Sequence, residues 1–247
     1  MNQYLSSKTL KQISREQLLG KYKAAVLAYL VAYIFSYSVR YFATPNLSAS
    51  PLEMLLPFAI TFIGTLIDGI FTLGQCHLYL RISREGQCTF YDITYGFKNY
   101  PDKAIGIQFV LTLSELMCAI PLIAFYTPMI TSKNSMYVIP FAVALIIYVV
   151  LTIIIKLVFS QSFYLLNDHP DWKVVNILKE SAHMMKGHKF RLFCTHVSFL
   201  GLLFLGLLSM GIGMFWVSCY RNMVCANFYE NLIGNLKMDS TSIDITI

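Results

Sequence analysis

Charged residues are scarce in this chain: Asp, Glu, Lys and Arg together make up 13% of its 247 residues. Ordinary soluble domains carry about 25%, so the shortage excludes a soluble globular protein. The 19 Lys and Arg residues are dispersed over several loops and form no basic run, which argues against nucleic-acid binding. The sequence also lacks a phosphate-binding loop, a G-x-S-x-G motif and an H-E-x-x-H motif. We therefore expect neither an enzyme nor a cofactor.

Paired cysteines and metal-ligand patterns are missing as well. The six cysteines form no C-x-x-C pair, and most fall in apolar segments, where a thiol behaves as a small apolar side chain. His183 and His188 are five residues apart, a spacing that matches no familiar zinc site. The sequence thus predicts reduced, packed cysteines and no bound metal.

Long apolar runs dominate what is present, since 56% of the residues are hydrophobic. A helix needs about 20 apolar residues to cross a bilayer. We predict an all-α, polytopic transmembrane bundle with short amphipathic cytoplasmic helices. Residues 1–232 form a single multi-span membrane domain, followed by a polar tail over 233–247. The predicted spans cover residues 24–43, 55–80, 104–126, 138–166, 190–208 and 214–228.

The number of spans stays open between six and five. The last segment has about fifteen residues, with Arg221 at its middle, and is marginal for a crossing. Six spans are favoured because Gly211 and Gly213 are poor residues for a continuous helix. With five, the chain from Phe190 to Tyr220 would be one tilted helix.

Basic residues alternate between the loops. Five precede the first span, four lie in residues 81–103 and five in residues 167–191. The two intervening loops contain only Arg40 and Lys133. The positive-inside rule therefore predicts a multi-pass protein of the cytoplasmic (cell) membrane with its N-terminus in the cytoplasm.

Two cytoplasmic segments have the pattern of amphipathic helices. Residues 7–22 are expected to form a short basic helix suited to an anionic leaflet. A second helix is expected to start at Asp168 and stop at Gly187. This helix offers contacts to the lipid bilayer, in particular to anionic lipid, or to a membrane-protein partner, through Trp172, Lys173, Lys179 and Lys186. Thr89 and Asp92 resemble a capping box that opens another short helix.

Four ionisable residues lie inside predicted spans and are candidate functional residues: Asp68, Glu115, Lys156 and Arg221. Asp68 belongs to a polar face of the second span, and Glu115 to a shorter one on the third. Facing stripes with acids at similar depth would suit a small transporter or ion-coupled exporter. The alternative is that polar side chains join helices and that the acids are neutral or pair with Arg221 or Lys156. The two faces comprise Thr61, Thr65, Asp68, Thr72, Gln75 and Tyr79, and Gln108, Thr112 and Glu115.

Several short motifs resemble a known family. They are Leu73-Gly74, Tyr95-Gly96-Phe97-Lys98-Asn99, Asp168-His169-Pro170, Met185-Lys186-Gly187-His188-Lys189 and Phe228-Tyr229-Glu230. In these the chain resembles a bacterial family of integral membrane proteins, domain of unknown function number 975. The family's usual Pro-Gly in the fourth span is replaced by Leu151-Thr152, which suggests a straighter helix. The resemblance implies a membrane helical bundle and no activity. A membrane scaffold or lipid- or partner-binding protein is the leading hypothesis, and a transporter is the alternative.

Overall fold

The computed structural model describes residues 4–44, 55–132 and 135–236. Within these residues the chain is helical and has no strand, which confirms the predicted all-α fold. The predicted tail beyond residue 236, and Lys133, lie outside the described residues. The α-helices are α1 (Ser7–Leu18), α2 (Tyr22–Phe42), α3 (Leu55–Glu85), α4 (Tyr95–Lys98), α5 (Pro101–Ser132), α6 (Val138–Val158), α7 (Ser162–Asp168), α8 (Val174–Met184), α9 (Lys189–Val197), α10 (Leu200–Leu208) and α11 (Ile212–Leu232).

Five helical stretches in the described chain have the length and apolar composition that a membrane crossing requires, and they indicate a membrane protein. Each of them coincides with one of the first five predicted spans. The stretches are Tyr22–Phe42, Leu55–Glu85, Pro101–Pro128, Val138–Asp168 and Lys189–Leu208.

The sixth predicted span forms α11, which is not among these five stretches. Its C-terminal half contains Asn227, Glu230 and Asn231, all buried within the protein. The expected break before it is present, because Met210 and Gly211 have positive φ values of 56° and 84° and reverse the chain. A single tilted helix from Phe190 to Tyr220, the form that the five-span alternative required, therefore does not exist.

The fourth predicted span is two helices rather than one. α6 is continuous through Leu151-Thr152 and ends at Val158, and α7 follows after a short turn. The hydroxyl of Ser181 donates to the carbonyl of Val158 at 3.0 Å. This bond satisfies a carbonyl that the end of α6 leaves without a helical partner.

The expected helix start at Asp168 is wrong by six residues. Asp168 is the last residue of α7, and α8 begins at Val174 after Lys173. The reason is that residues 162–166 are buried, so apolar packing carries α7 through to Asp168. The expected stop at Gly187 is confirmed, since α8 ends at Met184 and Gly187 has a φ of 82°.

Two compact units make up the chain, each from separate segments. The first contains residues up to Tyr37, residues 71–99 and residues from Phe190 onward. Its core combines the C-terminal half of α3 with α1 and α11, and includes the fully buried side chains Leu10, Leu18, Leu73, Tyr79, Ile82, Phe228 and Tyr229. Ser6 starts α1 by accepting the backbone N–H of Thr9 at 3.2 Å.

A 3-10 helix, Phe90–Thr94, packs inside the first unit against α3. Asp92 accepts the backbone N–H of Thr89 at 2.7 Å, as the predicted capping box requires. Gly74 lies directly under this helix: a Cβ at position 74 would stand 2.1 Å from the carbonyl oxygen of Ile93. The motif Leu73-Gly74 therefore marks a close approach between two backbones.

The second unit contains residues 38–70 and 100–189. Here α5 packs against α6, and the buried α7 packs against α5 and α8. α8 turns Ile177, Leu178 and Ser181 inward. Gly106 of α5 faces Val174 of α8, whose Cγ2 would be 3.1 Å from an added Cβ. The amphipathic pattern of α8 is thus satisfied by packing on one side.

Candidate functional site

The structure pairs two of the four predicted intramembrane ionisable residues. Lys156 Nζ of α6 lies 3.3 Å from Glu115 Oε1 of α5. The Lys156 side chain is 68% exposed and that of Glu115 is 35% exposed. This is one of the pairings that the sequence left open as an alternative to transport.

Asp68 lies on α3 in the same unit, half-buried. Its neighbour Gly69 packs against Gln108, whose Cβ would be 2.6 Å from an added Cβ at position 69. Phe62 and Phe109 are in edge contact, with ring centroids 6.1 Å apart. Gln108 therefore packs against α3 at the residue next to Asp68 in the chain. Glu115 lies two turns further along α5, about 10 Å by the helical rise.

The two threonines nearest the N-terminal end of the α3 polar face donate hydrogen bonds to carbonyls of their own helix. The hydroxyl of Thr61 donates to the carbonyl of Pro57 at 2.8 Å, and that of Thr65 to Thr61 at 2.7 Å. Such bonds satisfy a hydroxyl in an apolar environment without another helix. On α5, the hydroxyl of Thr112 is buried and has no hydrogen-bond partner among the residues that the structure describes.

The C-terminal part of the α3 polar face belongs to the first unit. There Thr72 is half-buried and Tyr79 is fully buried. Gln75 accepts a long hydrogen bond from Asn222 of α11, at 3.5 Å. Arg221, also on α11, is half-buried in this unit. Here the polar stripe joins α3 to α11 as a structural contact.

The α8 surface, which we define as Trp172, Lys173, Val175, Lys179 and Lys186, is exposed. Two contacts order the segment that leads into it. The ring of Trp172 stacks on that of His169, with centroids 4.2 Å apart. Lys103 Nζ donates to the carbonyl of Pro170. The predicted lipid-contact residues are thus all exposed, in and around α8, next to an ordered loop.

A polar cluster in the first unit was not identified from the sequence. Glu230 of α11 is 3% exposed and accepts from Arg84 Nη2 at 2.6 Å and Nε at 2.8 Å. Asn235 Nδ2 donates to the second carboxylate oxygen at 3.0 Å. Nearby, Arg81 pairs with Asp92 at 2.8 Å. Two ion pairs therefore hold the C-terminal end of α3 in place.

Asn227 is the second member of this cluster and is completely buried. Its amide nitrogen donates to Ser14 Oγ at 2.7 Å and to Gln17 Oε1 at 2.8 Å. Its amide oxygen accepts from Ser83 Oγ at 2.8 Å. One side chain of α11 thus connects α1 to α3, with each of its polar groups satisfied.

Asn231 is the third member. It accepts from Arg191 Nη2 at 2.5 Å and from the backbone N–H of Leu5 at 3.2 Å. The guanidinium of Arg191 also faces the rings of Phe228, at 4.6 Å, and Tyr4, at 5.4 Å. We name Asn227, Glu230 and Asn231 the α11 cluster. In the sequence, the only signal of this cluster was the spacing of three and four residues, which places the side chains on one helix face. The segment was interpreted instead as a marginal span with Arg221 at its middle.

Burial shifts the pKa of two groups outside the predicted spans. Partial burial lowers the pKa of the Lys11 amine on α1, and burial raises the pKa of the Cys88 thiol, with a smaller contribution from the Asp92 carboxylate. All six cysteines are free. Among the described residues, no group of three or more His, Cys, Asp and Glu could hold a metal ion. The polar contacts of the α11 cluster join helices to one another.

Comparison with known proteins agrees with the resemblance seen in the motifs. No curated protein and no solved structure matches the chain. A family model described as "Protein of unknown function (DUF975)" matches residues 1–236. This match includes α1, all five apolar stretches and the α11 cluster. The chain therefore belongs to the DUF975 family of proteins of unknown function.

Proposed function

We propose that the protein is a non-enzymatic, multi-pass protein of the bacterial cytoplasmic membrane that contacts anionic lipid headgroups through its basic helices. The α8 surface carries the proposal: Lys173, Lys179 and Lys186 are exposed beside Trp172 and Val175, while the opposite face of α8 is buried. Exposed lysines with aromatic and apolar neighbours are typical of helices at a charged bilayer surface.

The first unit supports the same proposal with α1. This helix buries Leu10 and Leu18 and exposes Lys8 and Arg15. Its exposed cations have the sign that an anionic leaflet attracts. The alternation of basic loops favours the cytoplasmic side for both helices.

Replacing Lys173, Lys179 and Lys186 together by glutamine is expected to reduce crosslinking of α8 to a photoactivatable anionic phospholipid about tenfold, because lysines near the surface attract its headgroups. Proteoliposomes of mixed anionic and zwitterionic lipid are irradiated, and lipid adducts on residues 172–186 are quantified by mass spectrometry. Glu180→Gln, which removes an acid from the same helix, is the matched control and should retain or increase the signal.

Equal adduct yields for the triple variant and wild type would contradict lipid binding by α8. Retained lipid adducts, together with loss of a crosslink to another protein when the same variant is compared with wild type in native membranes, would instead assign the lysines to a protein partner.

A small transporter or ion-coupled exporter that uses Asp68 and Glu115 is the second proposal. It is favoured by the hydroxyl of Thr112, one turn before Glu115, which is buried and finds no partner within the described part of the chain. A buried hydroxyl requires a hydrogen-bond partner, and water is the smallest one available. The ion pair of Glu115 with Lys156 weighs against this function, because it occupies the carboxylate.

If the protein transports protons or cations, Asp68→Asn is expected to reduce flux into liposomes about tenfold, since an intramembrane carboxylate on a transport path carries the charge. Thr61→Val is the matched control: its hydroxyl bonds only to its own helix among the contacts described above, so flux should be unchanged. Equal flux in wild type and Asp68→Asn, or none in either, would remove Asp68 from any transport role.

A further inference from the structure

The turn between α10 and α11 has an apolar surface. Residues 200–217, which we call the hairpin tip, contain no charged residue and a single serine, Ser209. At the turn itself, Leu208 is 67% exposed and Met210 is 94% exposed. The large side chains at this turn are therefore apolar and exposed.

Two other segments connect predicted spans on the side that the positive-inside rule places opposite the N-terminus, and their composition is different. The sequence between α2 and α3 includes Asn46 and Glu53, and the sequence between α5 and α6 includes Lys133 and Asn134. Polar residues of this kind are expected where a chain emerges into water. The hairpin tip lacks them.

The base of the hairpin is attached to α1. Lys11 Nζ of α1 lies 4.5 Å from the ring centroid of Phe199, at the start of α10. The hydroxyl of Tyr220 on α11 donates to the carbonyl of Lys11 at 2.9 Å. The rings of Phe199 and Tyr220 meet edge to face, 5.2 Å apart. The N-terminal end of α10 and the middle of α11 therefore both contact Lys11 of α1.

The composition of α1 indicates that Lys11, and with it Phe199 and Tyr220, lies at the membrane surface. The helix carries Lys8, Lys11, Arg15 and Glu16, and most of these charges are exposed. Four charges on three turns of helix exclude a position within hydrocarbon. Phe199 and Tyr220 therefore mark the depth at which the hairpin enters the apolar layer.

The hairpin is too short to cross the bilayer from that level. Ten residues separate Phe199 from Ser209, about 15 Å of helix, and eight separate Ile212 from Tyr220, about 12 Å. The hydrocarbon core is about 30 Å thick. The turn thus reaches roughly the middle of the bilayer.

The apolar stretch Lys189–Leu208 has the length of a span only because it includes α9. That helix is itself attached at the level of α1, since the hydroxyls of Thr195 and Ser7 are 2.7 Å apart. Arg191 bonds to Asn231 in the buried base. Of the stretch Lys189–Leu208, only α10 can therefore lie within the hydrocarbon.

Polar groups of the turn are hydrogen-bonded to one another and so do not depend on water. Ser209 Oγ donates to the carbonyl of Gly206 at 2.7 Å and accepts the N–H of Gly213 at 2.8 Å. Met214 N–H donates to the carbonyl of Gly211 at 3.1 Å. Non-helical backbone at membrane depth requires such internal partners. Ser209, the lone serine of the hairpin tip, takes part in two of these bonds, one as donor and one as acceptor.

We infer that α10 and α11 form a re-entrant hairpin, which enters the bilayer from the side on which α1 lies and turns within the hydrocarbon. Its exposed surface contacts the acyl chains of that leaflet. The two ends of the hairpin, α9 and the C-terminal half of α11, then lie on one side of the membrane. This arrangement accounts for α11, which has the length of a span but is not among the apolar stretches.

A thiol at position 210 tests this topology. In sealed proteoliposomes of a variant whose native cysteines are replaced by alanine, Met210→Cys is expected to react with an impermeant maleimide about tenfold more slowly than Lys8→Cys or Met136→Cys, from either side. The positive-inside rule predicts that positions 8 and 136 lie on opposite sides of the membrane, so that these two variants serve as reporters of each side. All three sites should react equally after solubilisation in dodecyl sulfate.

A fluorescence measurement avoids the cysteine replacements. In Trp172→Phe/Trp216→Phe/Met210→Trp, the indole at position 210 should be quenched most by lipids brominated near the ends of their acyl chains. Rapid labelling of position 210 from the side that labels position 136, with quenching near the headgroups, would establish a full crossing and overturn the inference. Rapid labelling from the side that labels position 8 would place the hairpin outside the bilayer and overturn it equally.

Discussion

Replacing Glu230 by glutamine is expected to lower the free energy of unfolding by about 2–4 kcal/mol, because breaking a buried ion pair leaves its partner charged without compensation. The Glu230 side chain is 3% exposed, and it accepts two hydrogen bonds from Arg84. The guanidinium retains some contact with solvent, at 35% exposure, which keeps the expected loss below the largest values known for such pairs. Unfolding is measured by circular dichroism in detergent micelles as temperature rises.

The matched control is Glu85→Gln. Glu85 pairs with Arg81 at 2.9 Å on the same end of α3, but its side chain is 57% exposed. Its loss should cost less than about 1 kcal/mol, as for other exposed pairs. A double variant, Glu230→Gln/Arg84→Gln, should recover part of the stability, since it removes the unpaired charge. Equal destabilisation by Glu230→Gln and Glu85→Gln would show that the buried pair does not hold α3 to α11.

Gly74→Ala is expected to destabilise the protein by about 3 kcal/mol, through a clash with backbone rather than with a movable side chain. The added Cβ would stand 2.1 Å from the carbonyl oxygen of Ile93 and 2.8 Å from its carbonyl carbon. To relieve this contact, the 3-10 helix Phe90–Thr94 must move away from α3. Hydrogen exchange measured by mass spectrometry should therefore increase most in residues 86–99.

Gly201→Ala provides the control for this substitution. Gly201 also lies within a helix, α10, and an added Cβ there meets no atom within 4 Å. Because alanine is favoured over glycine in helices, this variant should be as stable as the wild type or slightly more so. Unchanged exchange in residues 86–99 of Gly74→Ala would mean that the two backbones separate without loss, contrary to the packing described here.

The positions of most helices could be predicted from the sequence. Apolar runs of about 20 residues have few alternatives to a helix in hydrocarbon, because a helix is the structure that satisfies every backbone group within its own segment. The same locality explains why the capping box at Thr89 and the stops at Gly187 and Gly211 were recognisable. These signals depend on neighbours three or four residues away.

Signals that depend on packing were either misinterpreted or left open. Asp168 has the side chain of a helix start, yet it ends α7, since burial of Phe163, Tyr164 and Leu166 extends that helix. The ion pair of Glu115 with Lys156 was one of several pairings that the sequence allowed, and only the approach of α5 to α6 selects it. The sequence contained every residue of the α11 cluster without indicating its partners.

Composition and periodicity alone determined that this protein is an all-α membrane protein with basic amphipathic helices, because the cost of burying charge and unpaired backbone in hydrocarbon acts on each segment separately. The tertiary structure alone decided which polar residues are buried, that Asn227, Glu230 and Asn231 join α1, α3 and α9 to α11, and how far the hairpin tip extends beyond Lys11. Those properties arise from contacts between residues up to 226 positions apart, such as Leu5 with Asn231, for which a single sequence carries no local pattern.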